Sequence, residues 1–212
     1  MTELYFKVLG PGQVSYHGGS GKWTPGKWRN VRGRLVRCQN GLHYVALAQL
    51  VQWLGPEIWA FEPFPGTEVI GDRDKLVCRK GRITEQYIGW NEQSARLFAA
   101  DCAEHVLPIF ERQHPNDSRP REAIAVARKY AAGQVTPSEL EVAWDAAQTA
   151  AQTTARAATA WAATEATAHA ARAAAARDAA WDAARAAAQA TARAAERRWQ
   201  VQRLAEILGV SV

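Results

Sequence analysis

Cysteine, acidic residues near the start, and long apolar runs are all scarce in this sequence, and each scarcity excludes something. The three cysteines, Cys38, Cys78 and Cys102, are far apart and odd in number. That spacing argues against a disulfide framework and for a reducing, cytoplasmic setting. Charges interrupt every apolar stretch before it could cross a bilayer, so no membrane role is expected. Residues Met1 to Gly10 lack a basic segment followed by an apolar one, so no secretory leader is expected either. No Asp or Glu occurs between Glu3 and Glu57. From Ser138 to Leu208 there is neither Gly nor Pro, and between residues 145 and 200 there is no Leu, Ile, Val, Phe or Met.

What remains divides the chain into two unlike parts, an α+β arrangement. Residues 1–90 read as a small mixed α/β domain and residues 91–212 as an all-α, alanine-rich region. The net charge of +5 lies wholly in the first part, where 12 Lys and Arg face 7 Asp and Glu. Leu4, Phe6 and Val8 alternate as in a half-buried strand, and Gly10-Pro11-Gly12 turns the chain toward Val14 and Tyr16. Residues 17–33 read as an exposed loop, Leu35-Val36 as a short strand, and Val45 to Leu54 as a helix stopped by Gly55-Pro56. Residues 58–61, 67–70, 75–78 and 82–88 read as further strands.

Beyond Trp90 the signals are helical. Asn91 can cap a helix running toward His114, which Pro108 should kink or shorten. Pro120 suits the first turn of a second helix and Gly133 the position just past its end. Thr136-Pro137-Ser138-Glu139 is a capping box, with Pro137 pre-set for helical φ. The segment it opens, about 137–208, is one long helix or a helical hairpin. Alanine supplies more than half of residues 143–195 and has the best helix propensity. Such a helix cannot bury much area alone, so it should pack on a partner helix in the same chain or in a homodimer. Trp181 and Trp199 are 18 residues apart and share a face, whereas Trp161 lies 20 residues before Trp181, about 200° away. Trp161, Trp181, Trp199, Leu204 and Ile207 are therefore the candidate packing or oligomerisation residues.

The acid-free stretch interleaves cations with flat rings: Lys22, Trp23, Lys27, Trp28, Arg29, Arg32, Arg34 and Arg37. Cations can neutralise phosphates and tryptophans can stack unpaired bases, so these are candidate nucleic-acid or partner-binding residues. The alternative is a solvated cationic surface whose tryptophans belong to the domain core. Gly18 to Lys22 fails the phosphate-loop pattern, because Tyr16 stands at the first glycine position and Trp23 follows the lysine. Cys38 with His43 and Cys102 with His105 are too sparse for structural zinc. His17, His43, Glu85 and Tyr87 fall near strand ends without forming a recognised catalytic set. No catalytic residue, metal or cofactor is expected, and the chain is not expected to be an enzyme.

Two stretches resemble known families. Cys38-Gln39-Asn40-Gly41-Leu42-His43, with the segments around it, is similar to an uncharacterised domain family of phage and bacterial proteins, over about residues 4–88. Asn91 to Arg96, Asp101-Cys102-Ala103-Glu104, Arg119-Pro120-Arg121, Ala123 and Ala127-Arg128 resemble the helical domain of an immunity-protein family. That domain runs into an alanine-rich stretch and a terminal helix with Trp-Gln, here Trp199-Gln200, so the resemblance covers residues 91–208. It implies a non-enzymatic protein that binds a toxin or effector. The expected function is a phage or mobile-element protein that neutralises a protein partner by occlusion, the partner being a toxin or a host-defence nuclease such as a CRISPR complex. A basic nucleic-acid-binding protein and a structural homo-oligomerisation module are the alternatives.

Overall fold

The computed structural model describes residues 3–17, 21–71, 74–154 and 193–211. The chain divides into two compact units, Met1–Trp90 with Leu208–Val212, and Asn91–Ile207.

The N-terminal unit is an eight-stranded antiparallel sheet. Its strands are β1 (Tyr5–Gly10), β2 (Val14–Ser15), β3 (Arg29–Asn30), β4 (Leu42–Ala46), β5 (Glu57–Pro63), β6 (Val69–Gly71), β7 (Leu76–Cys78) and β8 (Lys80–Gln86). They lie in the order β3-β8-β5-β1-β4-β7-β6, with β2 folded back on β1 as the expected hairpin. The strands at the two ends have only two and three residues, which leaves little unpaired backbone for another chain to join. Phe6 and Leu9 in β1 are both fully buried, so that strand is covered on both faces. One buried cluster gathers Leu9, Trp23, Leu42, Tyr44, Trp59, Phe61, Cys78 and Ile83.

Two local expectations fail here and one holds in part. Most described residues between 17 and 33 are exposed, as expected, but Trp23 is 2 % exposed and Arg29-Asn30 pairs with β8. Leu35 is buried but forms no strand, because Val36 and Asn40 close a tight turn instead. The expected helix from Val45 is a strand as far as Ala46, followed by a single turn, α1 (Leu47–Leu50). An apolar run this short satisfies either period, and pairing of Phe6 with Val45 decides it for the sheet. Among the described residues the regular structure of this unit is thus sheet with one helical turn, rather than a mixture of strands and longer helices.

Gly41 enters β4 at φ +144°, and a Cβ there would lie 2.1 Å from Cγ1 of Val77 on the neighbouring strand. The backbone approach of β4 to β7 requires that missing side chain.

The second unit contributes α2 (Glu92–Gln113), α3 (Arg119–Ala131), α4 (Pro137–Thr154) and α5 (Arg193–Leu208). Oδ1 of Asn91 accepts from the amides of Gln93 and Ser94 at 3.0 and 3.1 Å, and Oγ of Ser94 accepts from the Asn91 amide. This caps α2 as expected. The helix runs on through Pro108, which is exposed beside exposed Glu104, whose carbonyl loses its helical donor on the solvent side. Gly133, at φ +71°, donates to the Tyr130 carbonyl and Gln134 donates to that of Lys129, the paired bonds that end α3. At α4 the Thr136 amide donates to Glu139 at 2.7 Å and the Glu139 amide to Oγ1 of Thr136 at 3.3 Å, completing the capping box. Ala123, Ala127 and Leu140 pack α3 against α4. Trp161, Trp181 and the choice between one long helix and a hairpin lie outside the described residues.

Gly41→Ala should destabilise the N-terminal unit by about 2–4 kcal/mol through strain and overpacking, measured by urea unfolding of the full chain.

Candidate functional site

In the helical unit the polar side chains converge on α2. Asp101, 9 % exposed, receives Arg128 of α3 at 2.7 Å on one oxygen and Nε of Arg203 of α5 at 2.7 Å on the other. Arg128 also reaches Glu104 at 2.6 Å, and Arg203 reaches Glu206 at 2.8 Å. Burial alone would lower the Arg128 pKa; Asp101 and Glu104 outweigh it and raise it. One turn along α2, Nδ1 of His105 meets Oε2 of Glu196 at 2.6 Å, while Gln200 donates to the other Glu196 oxygen at 3.0 Å. The Trp199 ring stacks on His105, with centroids 4.0 Å apart and planes 9° from parallel. Farther along, Arg121 forms a two-point pair with Glu111 at 2.8 and 2.8 Å. Arg119 bonds only its neighbour Asp117, which holds that carboxyl below the usual range.

These groups satisfy one another across three helices. Each acid meets a base from another element or a nearby turn, an arrangement that fixes helix positions rather than presenting a reactive pair. Trp199 is engaged within the unit, Leu204 is fully buried and Ile207 half-buried. Sequence reasoning found Trp199, Leu204 and Ile207 but missed His105, Glu196 and Arg203 as a set, because nothing local links residues about a hundred positions apart.

The basic stretch of the N-terminal unit splits in two. Lys22, Lys27, Arg32, Arg34 and Arg37 are exposed. The loop carrying three of them is tied down by Asn40, which donates to the carbonyls of Arg32 and Arg34 at 2.8 and 2.8 Å, and by Arg79, which donates to that of Gly33 at 2.6 Å. Trp23 and Arg29 turn inward, the guanidinium lying 4.5 Å from the Trp23 ring centroid. Trp28 is half-buried, edge-on to Phe64 and covered by Arg82 at 4.3 Å. Trp23, 2 % exposed, presents no open face on which a base could stack.

Beside Trp23 a cavity of about 490 Å³ opens, lined among others by Lys7, Tyr44, His17, His43, Arg29 and Lys75. Glu85 and Tyr87 are not part of it. Lys7 was not anticipated: alternation from Phe6 and Val8 points it outward, yet it lies in phase with Tyr5 and Leu9, which pack in the core cluster. Its ammonium donates to the His43 carbonyl at 2.5 Å and lies 5.0 Å from the Trp23 centroid. Burial, then the Arg29 charge, pulls its pKa down to about 8. Nε2 of His43 accepts from the Cys38 amide at 3.0 Å, and burial followed by Lys7 and Lys75 lowers its pKa, so the ring is held neutral. Among the described residues no group of His, Cys, Asp and Glu converges as a metal site. No described helix is long and apolar enough to cross a membrane.

Residues 90–207 match the family described as Imm-5 like putative immunity protein. That span is more than half of the chain, which therefore belongs to this immunity-protein family. No curated protein and no solved structure matches it.

The Lys7 environment generates a pH effect. The folded protein releases this proton near pH 8, the unfolded chain near 10.5, so between those values the unfolded chain binds more protons and this group's contribution to stability rises with pH. The Cys78 thiol, pushed up to about 11 by burial, acts in the opposite sense above its ordinary 9.0. Comparison with Lys7→Met isolates the lysine: the stability advantage of Lys7→Met at pH 7 should narrow by roughly 2 kcal/mol by pH 10, read from paired urea titrations.

Proposed function

We propose that this immunity-family chain is a non-enzymatic binding protein that neutralises a protein partner by covering it, the partner being a toxin or a host-defence effector. The observation that carries this reading is the family match over residues 90–207. The geometry supports it in two ways. The ionisable groups clustered on α2 are committed to holding α3 and α5, which leaves that cluster no free acid and base to share a reaction. A body fixed by such cross-ties also loses little conformational freedom on docking, so more of its contact energy appears as affinity. A phage or mobile-element origin, with a defence nuclease such as a CRISPR complex as the target, is the narrower form of the proposal. It draws on the likeness of the N-terminal segment to a phage and bacterial domain family.

A second reading rests on the exposed, clamped cations Lys22, Lys27, Arg32, Arg34 and Arg37, which suit a nucleic-acid backbone. One experiment separates the two. The tagged full chain is used to capture protein from a host lysate with and without nuclease treatment, and the captured protein is purified and recombined with it. The expected result is one nuclease-insensitive protein at one-to-one stoichiometry whose own activity falls to zero as one equivalent of the chain is added. Capture that disappears with nuclease favours the nucleic-acid reading. A partner that keeps its activity in the complex, or no stoichiometric partner, overturns neutralisation.

A further inference from the structure

The cavity of the N-terminal unit carries positive charge that no acid among its lining residues neutralises. Apart from Lys75, every residue lining it comes from positions 6–53, inside the stretch without a single Asp or Glu. The acid-free sequence therefore becomes an acid-free wall. Lys75 has Asp74 at 3.8 Å. Lys7 and Arg29 have no carboxylate among the lining residues. The ammonium of Lys7 has three donors, and the His43 carbonyl takes one. Nη1 of Arg29 is the single buried side-chain nitrogen or oxygen among the described residues that finds no hydrogen-bond acceptor.

Two cations brought together beside one indole, in a polar-lined hollow, are costly as a purely structural device. Hydrophobic residues of similar volume would fill a half-buried position such as Lys7 more cheaply. An anion with about two negative charges and several acceptor oxygens would balance the arrangement, which describes a phosphate dianion better than a carboxylate. The remaining walls mix aromatic Tyr16, Tyr44 and Trp53 with aliphatic and polar side chains, and about 490 Å³ leaves room for more than the phosphate itself.

We propose that this cavity binds a phosphate group between Lys7 and Arg29, either free phosphate or a phosphate monoester up to the size of a nucleoside monophosphate. The site is separate from the partner-binding role assigned to the helical unit and does not depend on it. Isothermal titration of the purified full chain at pH 7 and fixed ionic strength, with inorganic phosphate, adenosine monophosphate and adenosine as probes, tests it. One-to-one binding of at least one phosphate-bearing probe, with none of adenosine, is expected. Preference for the monophosphate assigns the site to an ester, and equal or better binding of inorganic phosphate assigns it to the free ion. Lys7→Met and Arg29→Met should each weaken binding by at least about tenfold, while Lys129→Ala, an exposed cation of α3, leaves it unchanged. Without ligand, Lys7→Met should unfold at the same or a higher urea concentration than the parent, the reverse of what loss of a structural cation gives. Absence of binding by both phosphate probes, adenosine binding as tightly as its monophosphate, or undiminished binding by Lys7→Met and Arg29→Met would overturn the assignment.

Discussion

The carboxylate of Asp101 cannot be left alone in the interior of the helical unit, and the placement of three helices follows from how it is satisfied. An ionised group removed from water costs several kcal/mol unless it is paired and hydrogen-bonded. Asp101 is given two guanidinium groups, one from α3 and one from α5, the second 102 residues farther along the chain. Because Arg128 and Arg203 keep 35 and 37 % of their side-chain surface, solvent screens both pairs, and their net worth is about 1–2 kcal/mol. Their larger effect is on uniqueness. Sliding α5 along α2 would strand Asp101 and, one turn on, Glu196, which is 1 % exposed and holds His105 and Gln200. Two buried acids in register thus fix where the terminal helix lies.

The two units treat charge in opposite ways. In the helical unit the described acids and bases around Asp101 and Glu196 are matched within the fold. In the N-terminal unit Lys7 and Arg29 face a cavity with no acid among its lining residues, nearly all of which come from the stretch between Glu3 and Glu57. The first pattern fixes helix positions, and the second is the one on which the proposed anion site rests.

Legibility in the sequence followed the range of the interaction involved. The caps at Asn91 and Thr136 and the turn at Gly133 were readable because each is completed within five residues. The strands from Glu57 to Gln86 were readable in outline. Val45 to Leu54 was not, since a mainly apolar stretch of ten residues, broken by Gln49 and Gln52, fits either period and its fate depends on β1 lying beside it. Lys7 was hidden for a similar reason: a strand covered on both faces has no outward side, and alternation alone cannot reveal that. The basic stretch was visible as composition, but which cations face solvent was set by Asn40 and Arg79 gripping the loop backbone. Arg203 and Glu196 were invisible as partners of Asp101 and His105, because separation along the chain erases any local pattern.

The claim that Asp101 holds the terminal helix in place is most directly tested by native-state hydrogen exchange on the full-length Asp101→Asn protein. The account predicts that amides of α5 lose protection by roughly tenfold, the equivalent of about 1–2 kcal/mol, while those at the capped start of α4 keep theirs. Unchanged protection in α5 would contradict it and would mean that apolar packing alone positions that helix.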